Sequence, residues 1–492
     1  MGVFRRLSSG IGCGDSIPFY HEGVYHLFFL SVPENTVRYP ERVRNTWQHV
    51  ISKNLVDWEE LPPVLLPGDG TELDKDGCWT GSVIYANGKY HIFYTAYNIS
   101  SEYPQTICHA TSSDGIHFEK DAKNPIIIPD TRYYEQIDWR DAFIFYNEEE
   151  QCYWMLIAAR KNNGPSNRRG VVVLYTSEDL EHFKHYGPIY EPWHTNCPEC
   201  PEMYKLGDYW YLAYSRFSER AQTLYRVSKS PYGPWRTPKF DGIDNRRFYA
   251  AKSLTDDKNR RIYFAWTPER ENQSDDELWQ TGGDFGIPHE VVSMPDGNLK
   301  VRMPDEIVEY YKERSLKYSF ETKLGNIKEY GNRALEVTSL GTLSYGFFDV
   351  EEQNFMMECN IKASDCADYF GISINTDEDI DNGYLLVLNR ATQAASLNKL
   401  PAPLDPFWAT LSGKPIIPAE VDGPRVCEKP YPFKDGDIIN IKLVLTDTMI
   451  EAFIGEQVAF SYRTYNKMPR RIGVFAQDCN VEYHNINFTY SR

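Results

Sequence analysis

No apolar run in this 492-residue chain approaches the roughly 20 residues a membrane helix needs, so no spanning helix and no membrane partner are expected. The start, Met1-Gly2-Val3-Phe4-Arg5-Arg6, lacks the apolar core of a secretory signal, and a cytoplasmic protein is expected. Positive charge is scarce: 52 Lys and Arg against 70 Asp and Glu leave a net charge of −18. That balance argues against a nucleic-acid or anionic-membrane partner and suits a neutral, sugar-like one. There is no H-E-x-x-H, Walker loop, G-x-G-x-x-G or G-x-S-x-G, so metalloprotease, nucleotide-binding and serine-hydrolase chemistries lack support and no cofactor is expected. The ten cysteines follow no framework spacing, as expected of reduced thiols. Cys197 and Cys200 make one C-x-x-C with no second pair at zinc-ribbon spacing, so buried thiols, and no metal, are expected there. Nothing in the residues speaks to oligomeric state.

What the chain has in quantity is aromatic side chains, 14% of residues including 35 Tyr. They suit β-structure and surfaces that stack on ring-shaped ligands. Five aromatic and β-branched runs recur: Gly23–Phe29, Gly88–Tyr94, Cys152–Ile157, Asp208–Ala213 and Arg260–Trp266. Their spacing of about 50 to 65 residues is near the period of a propeller or array. A second signature follows the first four, at Ile51–Trp58, Thr111–Phe118, Thr176–Phe183 and Val227–Trp235. Each offers a strand end, a polar turn able to bond its own backbone, and an aromatic anchor.

This alternation predicts five four-stranded blades over roughly residues 10–300, a propeller domain spanning 1–302. Pro304–Lys312 has proline at its start and apolar residues at helical spacing, predicting a short helix within a 303–314 linker. From 315 to 492, alternating runs such as Phe355–Ile361, Tyr384–Leu388, Ile438–Leu445, Met449–Ile454 and Arg471–Ala476 predict a β-sandwich. The proline-rich stretch Pro401–Pro432 reads as a long ordered loop. The fold class is therefore all-β, a five-bladed β-propeller followed by a C-terminal β-sandwich.

The segment ahead of each first signature is the expected innermost strand, and three of the five carry an acid at or near the start: Asp15, Asp141 and Glu199. Glu199 stands between two Cys-Pro corners, whose prolines restrict the backbone around it. Convergence of inner strands would bring the three acids together, a grouping that repels and for which function is the usual reason. Glycoside hydrolysis uses two carboxyl groups flanking the scissile bond. Glu199, among poorly solvating neighbours, suits the acid; Asp15 suits the nucleophile; Asp141 suits a transition-state stabiliser, with Arg140 beside it as a charge partner. Trp47, Trp79, Trp139 and Phe93 are candidate walls for a sugar, and Thr80, next to Trp79, is a candidate contact. Trp47 is equally well explained as core. Asp74, Lys75 and Asp76 read as a solvated loop, and His26, His49 and His91 as structural.

These residues resemble glycoside hydrolase family 32, the β-fructosidases. Trp47-Gln48-His49-Val50-Ile51-Ser52-Lys53-Asn54-Leu55-Val56-Asp57-Trp58 is similar to the family's W-G-H-A-x-S-x-D-L-x-x-W run, and Gly77-Cys78-Trp79-Thr80-Gly81-Ser82 to its G-C-x-S-G-S strand. Arg140-Asp141 resembles R-D-P, Glu199-Cys200-Pro201-Glu202 resembles E-C-P-D, Phe248-Tyr249-Ala250 resembles F-Y-A, and Ile287-Pro288-His289-Glu290 resembles L-P-R-E. The resemblance implies a propeller followed by a sandwich. It also implies a retaining reaction, with Asp15 as nucleophile, Asp141 as stabiliser and Glu199 as acid/base.

Two motifs depart. Gly12-Cys13-Gly14-Asp15-Ser16-Ile17-Pro18 stands where the family has W-M-N-D-P-N-G, and Ala142 replaces the proline of R-D-P. Both changes touch the floor of the sugar subsite. Three readings stay open: a retaining glycosidase on terminal furanosyl residues, β-fructosides first; an inverting propeller glycosidase on arabinofuranosyl or xylosyl substrates; and a non-catalytic sugar-binding propeller.

Overall fold

The computed structural model describes residues 3–218, 221–331, 333–352, 354–402, 406–411, 425–465 and 471–491. Its regular secondary structure is almost entirely strand. Two compact units form, one from 1–272 with 277–307, the other from 273–276 with 308–492. Among the described residues no helix is long and apolar enough to cross a membrane.

In the first unit each recurring aromatic run is a strand: Val24–Ser31, Lys89–Tyr97, Cys152–Lys161, Tyr209–Arg216 and Arg261–Arg270. Each pairs antiparallel with a preceding strand, here called its lead strand: Cys13–His21, Gly77–Ala86, Tyr134–Asn147, Glu199–Leu206 and Tyr249–Thr255. The runs are nearly continuous in apolar residues because their sheets are buried on both faces. One core joins the first and second sheets through Phe28, Trp47, Ile92 and Tyr94. A second joins sheets two and three through Phe93, Trp139 and Met155, and a third joins sheets three and four through Trp154, Leu174, Leu212 and Tyr214. Phe29 and Val50 of the first group pack with Ile262 and Phe264 of the fifth. Lead strands touch in the same order, and the fifth touches the first.

The polar turns of the second signature bond their own backbone in a repeated way. Asn54 Oδ1 accepts from the amides of Val56 and Asp57, Asp114 Oδ1 from Ile116 and His117, and Asp179 Oδ1 from Glu181 and His182. Each turn needs a left-handed residue, supplied by Leu55, Gly115 and Leu180 at φ of 64°, 73° and 67°.

The sheets are not five equal sets of four. The fourth has three strands, with Val227–Arg236 as an isolated bridge beyond it. Pro231, Pro234 and Pro238 explain this, since each removes a ladder donor. The first and fifth groups are joined in one nine-stranded sheet through the pair Cys13–Gly283. Arg6 secures that junction with Nη2 2.6 Å from Glu269 Oε2 and Nε 2.5 Å from Asp284 Oδ1. A turn with Gly297 at φ 82° joins strands His289–Ser293 and Leu299–Arg302, and helix Asp305–Tyr311 follows.

The second unit holds an eight-stranded and a seven-stranded antiparallel sheet. Tyr483, from the larger, donates to the carbonyls of Gly371 and Phe475 in the other at 2.8 and 3.0 Å. Two expectations change here. Cys366 and Cys479 form a disulfide, so the ten cysteines are not all reduced thiols. The two turns that carry them meet where the Ala367 amide donates to Asp478 O, a contact between residues more than 100 positions apart that no spacing rule reveals. The stretch 401–432 is not simply a loop: it contains helix Pro406–Leu411 and strand Arg425–Pro430, while 403–405 and 412–424 lie outside the described residues.

Candidate active site

Every lead strand carries an irregularity at one level of its pairing. Gly14 and Asp15 stand opposite Leu30 alone, and Thr80 is an extra residue between paired Trp79 and Gly81. Asp141 and Ala142 face Ile157, Cys200 and Pro201 face Tyr214, and Ala250 and Ala251 face Ala265. A β-bulge of this kind re-aims the side chain it carries. Asp141, Cys200 and Ala250 sit at left-handed φ of 61°, 49° and 49°, a conformation costly for non-glycine residues that persists where surroundings enforce it. Asp15 and Asp141 lie within their bulges. Glu199 lies one residue before its own, so the three acids do not share one register.

The bulges converge. Asp15 Oδ2 accepts from the Thr80 hydroxyl and lies 3.5 Å from Cys200 Sγ; Oδ1 accepts from Trp266 Nε1 at 3.0 Å. Burial pushes the Cys200 thiol well up, with Asp15 and Asp141 adding to the effect, so the sulfur is the donor in that contact. Asp141 Oδ2 accepts from the Cys200 amide at 2.9 Å, and its own amide donates to Thr95 Oγ1 at 2.8 Å. Thr95 in turn donates to Thr80 O at 2.9 Å. One residue, Cys200, thus bridges Asp15 and Asp141.

Glu199 is held from two sides. Arg140 Nη2 donates to Oε1 at 2.9 Å, and the Tyr249 hydroxyl donates to Oε2. Its side chain is 21% exposed against 5% for Asp141, so Glu199 is the more accessible acid. Burial pushes the Asp141 carboxyl up to about 7, and the charges of Glu199 and Asp15 act in the same sense against Arg140. Burial would pull the Arg140 guanidinium down, but Cys197, Glu199, Asp141 and Asp138 outweigh it and hold it well above its ordinary value. Burial, reinforced by Glu199, keeps the Tyr249 phenol protonated.

A chain of alternating charges supports Arg140. Its Nη1 lies 2.5 Å from Asp138 Oδ1; Arg160 Nε lies 3.2 Å from Asp138 Oδ2 and 2.7 Å from Glu135 Oε2. Arg160 also donates to Asn196 Oδ1 at 2.6 Å, three residues ahead of Glu199.

The candidate contacts divide. Trp79 is half-buried beside Thr80, stacked on Tyr97 at 4.0 Å with its Nε1 on Val43 O. Thr80 and Arg140 join the acids directly. Trp47 is fully buried and donates to Trp79 O at 3.1 Å, which makes it core support. Phe93 and Trp139 are also fully buried, and Phe93 stacks on His109 at 4.7 Å; neither is a wall. Both lie in the core between the second and third sheets. Asp74 is no solvated group either: it is 3% exposed, accepts from Tyr94 Oη at 2.8 Å and pairs with Lys120. Among the described residues no group of three or more His, Cys, Asp or Glu could hold a metal ion.

Tyr249, Trp266, Cys200 and Lys252 were not singled out as site residues from the sequence. Tyr249 could have been, because it opens the fifth lead strand where other lead strands carry acids. Trp266 carried no signal beyond ending an aromatic run.

Comparison with known proteins gives the family. Residues 16–297, more than half of the chain, match the glycosyl hydrolases family 32 N-terminal domain. Sucrose-6-phosphate hydrolase of Zymomonas mobilis is 27% identical over 321 residues, 59% of this chain and 60% of that protein. Fructan 1-exohydrolase of Leymus chinensis is 28% identical over 341 residues, 63% of this chain and 55% of that protein. These alignments span under two thirds of the relatives' length. Among solved structures, sucrose-6-phosphate hydrolase from Lactobacillus gasseri superposes with a TM-score of 0.74 at 16% identity, covering 100% of this chain and 93% of that one. A variant of fructan 1-exohydrolase IIa from Cichorium intybus in complex with 1-kestose gives 0.73 at 18% identity, covering 100% and 97%. With a family match across most of the first unit and more than half of its length, the chain belongs to glycosyl hydrolase family 32.

Proposed function

We propose that the protein is a retaining glycoside hydrolase that removes terminal β-D-fructofuranosyl residues from sucrose or fructan-type oligosaccharides. The first unit is read as a five-bladed β-propeller, supported by five lead strands in cyclic contact, and the second as a β-sandwich. The observation that carries the reading is the shared set of partners around Asp15, Asp141 and Glu199.

Asp15 is the nucleophile. Both its oxygens accept hydrogen bonds, which fixes the carboxylate for attack on C2 of the fructosyl unit. As the Asp15 oxygen bonds to C2, the bond from C2 to the leaving oxygen breaks and Glu199 gives that oxygen a proton. Water then attacks C2, loses a proton to Glu199, and Asp15 leaves. The Tyr249 hydroxyl can rotate between donating to the Glu199 carboxylate and accepting from its acid form, so one contact serves both states. Asp141 and Arg140 hold sugar hydroxyls and stabilise the oxocarbenium-like transition state.

The test is incubation with sucrose, 1-kestose and an arabinofuranoside, following the sugar released and its anomeric form by NMR. Fructose released first as the β-anomer, and lost in Asp15→Ala and Glu199→Ala, supports the reading. Inversion, release of arabinose alone, or full turnover by either variant overturns it.

A further inference from the structure

We propose that Lys252 is a positioning residue for the nucleophile, acting across the lead strands through Gly81 and Thr80; this rests on the assignment of Asp15 above. Lys252 is the first paired residue after the fifth bulge and is 1% exposed. Its Nζ reaches past its own sheet to donate to the carbonyl of Gly81 at 2.6 Å. Gly81 directly follows Thr80, whose hydroxyl donates to Asp15 Oδ2. Gly81 lies close against its paired strand, where an added Cβ would fall on the Phe93 carbonyl oxygen. The ammonium holds the carbonyl next to Thr80 and, through that short stretch of backbone, the Thr80 hydroxyl. Lys252 also lies over the Phe143 ring, 5.2 Å from its centroid, next to the Asp141-Ala142 bulge. One side chain thus ties the fifth lead strand to the second and the third.

The charge matters as well as the bond. A buried ammonium is costly unless paired, and the groups facing Lys252 are Cys200, Glu202, Asp141 and Asp15. Burial pulls its pKa down, while those four neighbours act to keep the proton on. A neutral side chain of similar length loses this cation among the carboxylates and loosens the Gly81 contact.

The test is a cycle of Lys252→Gln, Thr80→Val and the double variant, with Thr80→Ser as control, assayed on sucrose and 1-kestose. Each of the first two is expected to lower kcat about tenfold or more with KM within about twofold, and the double variant to be about as slow as the slower single. Thr80→Ser retains most activity. Multiplicative losses, an unchanged kcat in Lys252→Gln, or a loss confined to KM overturns the proposal. The Thr80 arm stands even if Lys252→Gln does not fold: full kcat in Thr80→Val overturns the proposal by itself. A crystal structure of Lys252→Gln supplies a readout that needs no substrate. The Thr80 hydroxyl is expected off Asp15, and its retention on Asp15 overturns the proposal whether or not fructosides are the substrate.

Discussion

Asp141 Oδ2 accepts the backbone N–H of Cys200 at 2.9 Å, although 59 residues separate them. The acceptor sits on one bulge and the donor on the next, and both residues have left-handed backbones. The contact shows how the unit gathers acids. Each bulge turns its residue toward its neighbours, and the backbone of one strand satisfies the side chain of another.

Asp141 should cost stability at neutral pH. Its carboxyl is pushed up to about 7, above an unfolded value of 3.8. The folded state then holds a proton that the unfolded chain has released, so stability falls as pH rises from about 4 to about 7. Asp141→Asn keeps an acceptor for the Cys200 amide and removes this linkage. The variant should melt above wild type at pH 8, by an amount on the order of a few kcal/mol, and the gap should close near pH 4. Calorimetry at both pH values checks this; a gap that does not change with pH contradicts it.

Glu199→Gln should reveal the proton donor. Turnover of sucrose, whose leaving oxygen needs a proton, should fall by about 10²–10⁴. A fructoside with an acidic phenol as leaving group should lose far less in formation of the covalent intermediate. Pre-steady-state release of the phenol measures this, and equal losses on both substrates would count against Glu199 as the acid.

Arg160→Ala should damage both stability and rate. It leaves Glu135 and Asp138 without their shared cation and frees Asn196 ahead of Glu199. Because Glu135 keeps Arg169 and Asp138 keeps Arg140, a loss of about 1–3 kcal/mol is expected, together with a lower kcat as Arg140 and Glu199 shift. Denaturant melts and initial rates decide it. Wild-type values in both would show that the network does not carry the site.

Phe93→Ala should act only on the fold. The ring is fully buried between two sheets, so its removal should cost about 3–5 kcal/mol with KM almost unchanged. A raised KM at full stability would return Phe93 to the sugar.

Much of this was legible in the residue pattern, and the failures share one cause. Val24–Ser31, Lys89–Tyr97 and their counterparts were readable as strands because hydrophobic runs and turn residues are local. The gathering of Asp15, Asp141 and Glu199 was readable because each lies at or near the start of an expected inner strand. Phe93 and Trp139 were misplaced because a strand buried on both faces shows no alternation to say which ring meets solvent. Asp74 was misread because its partners, Tyr94 and Lys120, lie on other strands. Lys252 was overlooked for the same reason: its acceptor, Gly81, is 171 residues away.

The repeated extra residue has a consequence for how such a protein changes over time. Each of the five strands holds one such seat, and at two of them a neighbouring strand secures the backbone, through Asp141 N–H on Thr95 Oγ1 and Cys200 N–H on Asp141 Oδ2. Asp, Thr, Asp, Cys and Ala take those seats here, and swapping an occupant leaves the surrounding ladders in register. New specificities can therefore arise by single exchanges at these seats, with the architecture untouched and the chemistry rewritten one seat at a time.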